Sequence, residues 1–276
     1  MTLQKIAAFT NGNVGGNPAG VVLCSAFPST EEMQRIAADV GFSETAFAAP
    51  EGTSWRVRYF APEMEVPFCG HATIALGAAL ATRHGAGVYT LQLNHAVISV
   101  EGKMGDDLVS VALQSPETKS RLAPKTLVDA ALSLFSLSAH DLDSRIAPAI
   151  ANAGANHLVL ALSTRELLRT MTYDFASGKD LMLGQGLSTI TLLYAENHQL
   201  IHVRNPFAPG GVYEDAATGA AAAALAGLLR DISWPHHGYV EIHQGDDMGI
   251  PSRLHVEISS TAGASIRISG TARFIN

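Results

Sequence analysis

The chain has 276 residues, 47% of them hydrophobic and 16% charged, and its 18 Lys and Arg stand against 25 Asp and Glu for a net charge of −7. That length builds one large domain or two ordinary ones, and the apolar share argues against any long disordered span. With no excess of Lys and Arg to neutralise phosphates, nucleic acid is not an expected partner.

The N-terminus, Met1-Thr2-Leu3-Gln4-Lys5-Ile6, has no apolar core followed by a small-residue cleavage site, so no secretory signal is expected. The longest apolar run, Ala220 to Leu229, falls far short of the roughly 20 residues that cross a bilayer, and no membrane association is expected. Cys24 and Cys69 are too few for a disulfide framework and fit a reducing cytoplasm.

In chain order, Leu3 to Phe9 and Ala19 to Leu23 read as strands around the loop Asn11 to Pro18, whose Gly, Asn and Pro mark unusual backbone angles. Ser29-Thr30-Glu31-Glu32 opens a helix to about Val40, with a hydroxyl cap and early acids. Ser43 to Ala48 and Trp55 to Phe60 read as strands. Gly70 to Arg83 is a helix of small residues, apolar on nearly every face and therefore buried on most sides. Strands follow at Val88 to Leu93, Ala96 to Val100 and Leu108 to Leu113.

The polar segment Ser115 to Ser120 reads as the break between halves. Beyond it, a helix runs from about Ala123 to Phe135, and Ser138-Ala139-His140-Asp141 caps a short one. Leu158 to Leu162 is a strand, and Ser163-Thr164-Arg165-Glu166 caps a helix to about Met171. Leu187 to Tyr194 and Leu200 to Arg204 are strands before an Ala-rich helix, Ala217 to Leu229. Strands at Tyr239 to His243, Leu254 to Ile258 and Ile266 to Ile268 close the chain. This order lacks the strand–helix alternation of a doubly wound sheet. It predicts an α+β fold of two similar, pseudo-twofold related domains, residues 1–118 and 119–276, each a curved mixed or antiparallel sheet around a central helix. The last strand is a candidate to return to the first domain.

The duplication rests on one event that occurs twice. Arg58-Tyr59-Phe60-Ala61-Pro62 leads to Phe68-Cys69-Gly70-His71-Ala72-Thr73, and Arg204-Asn205-Pro206-Phe207-Ala208-Pro209 leads to Glu214-Asp215-Ala216-Ala217-Thr218-Gly219-Ala220-Ala221. Each copy reads as a strand, a loop and a helix entered through Gly. Helix N-termini present unbonded N–H groups that attract anions, so the repeat points to a site that holds an anion.

Four side chains near these entrances carry alternative readings. Glu44, between Phe42 and Phe47, is either a solvated carboxylate or a buried one, and burial suits a carboxyl group to moving protons near neutral pH. His71 is either a donor to substrate or a capping histidine. Asp215 is either a helix-dipole acid or, by its place in the repeat, a site residue in the loop that matches the one before His71. Cys69 aligns with Thr218 when Gly70 is matched to Gly219, so a two-thiol racemase lacks its second thiol, and Cys69 reads as structural. His236, His237, Glu241 and His243 match no ligand spacing, and no metal is expected. The loop Asn11 to Pro18 has neither a phosphate-loop nor a dinucleotide fingerprint.

Taken together, Gly16-Asn17-Pro18-Ala19-Gly20-Val21-Val22-Leu23, Phe42-Ser43-Glu44-Thr45-Ala46-Phe47, the segment Arg58 to Thr73, Glu214 to Ala221 and Gln244-Gly245-Asp246-Asp247-Met248-Gly249 resemble the PhzF-like phenazine-biosynthesis family of the diaminopimelate epimerase-like fold. The resemblance covers essentially the whole chain. It implies an isomerase without cofactors that usually forms a homodimer, of the kind that isomerises trans-2,3-dihydro-3-hydroxyanthranilate. By carry-over it implies Glu44 as the proton-transferring residue, with His71 and Asp215 assisting. Asn17, Ser43, Gly70, Thr218, Gly219 and Ala220 fall at substrate-binding positions. The family usually has Pro and Ser where this chain has Ala216 and Ala220. A lost hydrogen bond to a charged partner is worth about 1.5–3 kcal/mol, enough to change substrate preference. A two-base racemase and a non-catalytic small-acid binding protein are the alternatives.

Overall fold

The computed structural model describes residues 2–276. They form two compact units: the first runs to Gln114 and takes back Ile250–Arg253 and Ile268–Asn276, and the second comprises Ser115–Gly249 and Leu254–Arg267.

The first unit opens with β1 (Thr2–Thr10), β2 (Asn17–Leu23), α1 (Thr30–Val40), β3 (Thr45–Glu51), β4 (Ser54–Phe60) and the short β5 (Glu65–Val66). It continues through α2 (Gly70–His84), β6 (Gly87–Gln92), β7 (Val97–Met104) and β8 (Val109–Gln114). The second unit contains β9 (Lys119–Leu122), α3 (Lys125–Leu134), β10 (Ala149–Asn152), β11 (Asn156–Ala161), α4 (Arg165–Arg169), α5 (Phe175–Gly184) and β12 (Thr189–Ala195). After these come β13 (Leu200–Phe207), β14 (Val212–Asp215), α6 (Gly219–Asp231), β15 (Tyr239–Gln244) and β16 (Ser252–Glu257), and the chain ends with β17 (Arg267–Ile275).

In the first unit β1, β2, β3, β4, β6, β7, β8 and β17 pair in that order, and β17 pairs again with β1, so the ring closes. Closure removes the exposed edges that an open sheet would leave. Helix α2 fills the ring, with every residue from Gly70 to Ala81 buried. It packs against β1, β2, β7 and β8. The close approach depends on two glycines: a Cβ on Gly77 would lie 2.6 Å from Val100 and Val111, and one on Gly102 would lie 2.6 Å from Ala81 Cβ and 2.9 Å from Gly77 O. Helix α1 covers the other side through Met33, Ile36 and Ala37, which cluster with Val22, Phe47 and Phe60. Its start is set by Ser29, whose side chain accepts from Glu32 N at 3.2 Å.

The second unit repeats the plan with additions. Strands β9, β10, β11, β12, β13 and β15 pair in that order, with parallel pairs at β11–β12 and β13–β15. The Ala-rich α6, buried from Ala221 to Arg230, packs on β9, β10 and β11. Residues of α3, α4 and α5, among them Leu127, Ala131, Leu168 and Met182, form a separate cluster with Leu158, Leu160, Ile190 and Leu192 of the sheet. Each unit is thus a mixed sheet with a small-residue helix, as the composition pattern predicts.

Some expectations need correction. The expected break at Ser115 to Ser120 is not among them, since the second unit starts at Ser115, although Thr118 is 2% exposed and β9 starts at Lys119. Thr118 is drawn in because its hydroxyl donates to Ala264 O at 3.2 Å. Strand β3 starts at Thr45, so Ser43 and Glu44 stand just before it and not within it. Asp215 is the last residue of β14 and not a loop residue. The loop in each repeat contains a return strand, β5 or β14, and each copy is a hairpin before its helix.

Candidate active site

Glu44 is placed by its backbone: its carbonyl accepts from Gly20 N at 3.1 Å, one residue before the parallel β2–β3 ladder starts at Gly20–Thr45. The side chain turns inward, leaving the residue 7% exposed. Its Oε2 lies 3.3 Å from His71 Nε2, and Ser43 Oγ lies 3.3 Å from the same nitrogen. On the other side of the ring, Cys69 Sγ lies 3.3 Å from His71 Nδ1. An imidazole that donates from Nε2 towards Ser43 and accepts at Nδ1 from the thiol satisfies both contacts. Glu44 Oε2 is then left buried without an aligned hydrogen-bond donor. Such an oxygen costs stability unless a water or a ligand meets it.

The helix entrance below this group is braced from within. Thr73 Oγ1 donates to Cys69 O at 2.7 Å, so the Tyr59 hydroxyl, 2.6 Å away, is the donor to Thr73. Burial pushes the Tyr59 hydroxyl pKa well up, which keeps it a neutral donor. Cys69 is the N-cap of α2 but makes no side-chain cap bond, so the first-turn N–H groups of the helix, Gly70 included, are not taken by a capping side chain.

The second unit has its own cluster. Asp215 Oδ2 accepts from Thr218 Oγ1 at 2.6 Å. Gln244, 1% exposed, closes the turn: its amide donates to Asp215 O at 2.7 Å and accepts from Thr218 N at 3.1 Å. Thr218 is the N-cap of α6 without a side-chain cap bond, because its hydroxyl is turned to Asp215. Gly219 opens α6, and Ala220 follows it, half-buried. Behind this turn, Asn205 Oδ1 accepts from Thr191 Oγ1 at 2.7 Å and pairs with Asp215 across β13–β14. Glu44, Ser43, His71 and Gly70 come together in the first unit, and Asp215, Thr218, Gly219 and Ala220 in the second. Asn17, 4% exposed, starts β2 opposite Ala8.

Both repeats are held by the same device. In the first hairpin Arg58 donates two bonds to Glu65, at 2.8 and 2.6 Å, and holds the Glu65 carboxyl below the usual carboxylate range. In the second, Arg204 donates to Glu214 through Nε at 2.9 Å and through Nη2 at 2.5 Å. Arg204 Nη1 also donates to the carbonyls of Leu168, Arg169 and Met171, which satisfies the open end of α4. These fork-shaped pairs tie each strand to its return strand and so set the path into each helix.

Among the described residues, two trios bring possible metal-ligand atoms within 4.8 Å of one another: Glu44, Cys69 and His71, and separately His202, His243 and Asp246. The second trio takes only His243 from the histidine-rich stretch singled out in the sequence.

A family model described as phenazine biosynthesis-like protein matches residues 6–275. The chain belongs to that family. An uncharacterized isomerase of Mesorhizobium japonicum is 31% identical over 96% of this chain and 93% of its own length. Two solved structures share the fold: a PhzF-family phenazine biosynthesis protein of Bacillus anthracis (TM-score 0.86, 22% identity, 100% and 98% of the two chains) and a protein of Pseudomonas aeruginosa described as a predicted epimerase (TM-score 0.87, 23% identity, 99% and 96%). This PhzF-like chain is therefore an isomerase-class protein with an epimerase-like α+β fold.

Four residues in and behind the two clusters of this PhzF-like chain were not singled out for the contacts they make. Cys69 orients His71, Gln244 stitches the Asp215 turn, and Arg204 with Glu214 fixes the hairpin behind it. Only the last left a signal, since Arg58 and Glu65 recur as Arg204 and Glu214 in the repeat.

Proposed function

We propose that this PhzF-like isomerase shifts a proton on a small carboxylated substrate, with Glu44 as general acid and base and no cofactor. The observation that supports it is the Glu44 carboxylate: it is 7% exposed, its Oε2 lacks an aligned donor, and His71 Nε2 lies 3.3 Å away. A carboxylate in that setting keeps a lone pair for a carbon-bound proton and can return the proton to a different carbon. His71 would turn its one N–H, at Nε2, from Ser43 to the charge that develops on the substrate. The backbone N–H groups at the entrance of α2, around Gly70, suit a substrate carboxylate, and Gly219 enters the proposal on the family pattern. Asp215, Thr218, Asn17, Ser43 and Ala220 enter the proposal as substrate-contacting residues on the family pattern.

The first substrate to try is trans-2,3-dihydro-3-hydroxyanthranilate, together with other small cyclic acids, because Ala220 replaces a side-chain donor at the anion site. In heavy water, deuterium should wash into a turned-over substrate, and Glu44→Gln should abolish the exchange. Exchange should survive dialysis against a chelator. Tight binding of a carboxylated ligand with no exchange in the wild-type protein would replace this reading with that of a binding protein. A homodimer belongs to the same proposal, and sedimentation velocity checks it.

A further inference from the structure

The second unit carries a group of side chains that the proposed reaction does not use. Strand β13 runs parallel to β15, and their register sets His202 directly against His243. The two rings lie 5.4 Å apart, edge to face. Beyond β15 the chain turns at Gly245, whose φ of 78° is a conformation glycine adopts freely. The turn sets Asp246 so that its carboxylate and the two rings have ligand atoms within 4.8 Å of one another. Arg165 holds the next residue, Asp247, at 3.0 Å, which pins the turn.

Each imidazole has a carboxylate of its own. Glu196 Oε2 lies 2.7 Å from His202 Nε2, and Glu241 Oε1 lies 2.7 Å from His243 Nε2. A carboxylate accepting from Nε2–H fixes the tautomer that leaves Nδ1 with its lone pair, the arrangement found behind metal-ligating histidines. The group stands apart from the Asp215 turn. Successive side chains of a strand point to opposite faces, and Gln244, which binds Asp215 and Thr218, follows His243 directly.

We propose that His202, His243 and Asp246 form a binding site for a divalent transition-metal ion, with Glu196 and Glu241 holding the two imidazoles. Two imidazole nitrogens and one carboxylate suit Zn(II), with water in the fourth position. Ligand atoms about 2.0–2.2 Å from zinc lie roughly 3.3 Å apart in a tetrahedron, so the trio has to draw together on binding. The ion would clamp the β13–β15 pair to the turn that follows it. The competing account is two independent surface His–Glu pairs that bind no ion.

The test uses the full-length protein, stripped with a chelator and titrated with Zn(II) by calorimetry and with Co(II) by visible absorption. The expected result is one zinc per chain, a rise in melting temperature, and a tetrahedral cobalt spectrum with no thiolate band. His243→Gln and His202→Gln should each weaken binding by at least tenfold. Glu241→Gln, which leaves all three ligands in place, should weaken it by roughly ten- to a hundredfold. The Glu241→Gln arm keeps the test valid if a histidine variant folds poorly. No zinc at stoichiometric protein, unchanged binding in the variants, or a thiolate-to-cobalt band that assigns the ion to Cys69 would each overturn the proposal.

Discussion

Glu44 combines burial with an oxygen that no donor satisfies, and that combination separates its two possible effects. Glu44→Gln should lower the proton-exchange rate by about 10²–10⁴-fold, the usual weight of a general acid–base group. It should leave the melting temperature unchanged or raised, because the neutral amide is cheaper to bury. Parallel exchange kinetics and thermal melts check both halves; a large loss of stability would mean the carboxylate is structural. His157 makes a different prediction. It is 1% exposed, its Nδ1 meets Thr189 Oγ1 at 2.7 Å, and burial lowers its pKa to about 4. The unfolded chain takes up that proton near pH 6.5, so the contribution is complete above about 6.5. It is lost as pH falls towards about 4, and amounts to roughly 3 kcal/mol by proton linkage. Urea unfolding at stepped pH should show that slope, and His157→Asn should remove it. At this scale the sequence singled out His71 beside Gly70 at a helix entrance, Glu44 by its apolar neighbours and Asp215 by its place in the repeat. It hid Gln244, whose worth lies in bonds to residues 26 and 29 positions away.

The two Arg–Glu forks belong to the hairpins and not to single residues. The second is the more buried, with side chains 10% and 3% exposed against 19% and 26% in the first. Removing one partner of a buried pair leaves an uncompensated charge and costs about 3–5 kcal/mol, so Glu214→Gln should destabilise strongly. Glu65→Gln should cost clearly less, since its site is partly hydrated. Equilibrium unfolding of the two variants side by side measures the difference, and equal losses would refute the ranking. Gly102→Ala should cost about 1–3 kcal/mol by overpacking, since its Cβ would press on Ala81 and on the backbone of α2. The elements with strong signals were legible: α2 and α6 by composition, α1 by its cap and apolar face. Helix α5 was not, because Gly178 sits mid-helix where Tyr173 leaves no room for a Cβ, its contact distance being 2.4 Å. Strand β10 is only Ala-Ile-Ala-Asn, too short to show a period.

At the scale of the whole chain, the first unit is discontinuous. Its ring is completed by the last strand, with Lys5 opposite Ile275 and Ala8 opposite Ala272. Residues 1–114 expressed alone should therefore fail to give a cooperative melt, and deletion of residues 268–276 from the full chain should unfold the first unit. Amide exchange of the β1 and β2 backbone is the readout, and protection retained in the deletion would contradict it. The repeat revealed two related halves from sequence alone, because its motifs are local. The return of β17 was only suggested, because strand pairing across more than 250 residues leaves no local mark.

That late closure bears on how the protein is made. A ribosome adds about 5–20 residues per second and releases the N-terminal part first. Here the strand that completes the first ring is made more than 250 residues after β1, with which it pairs. Throughout synthesis, β1 therefore waits with one side unpaired, a template for misplaced strands. The nascent first unit stays open until Arg267–Ile275 has been made.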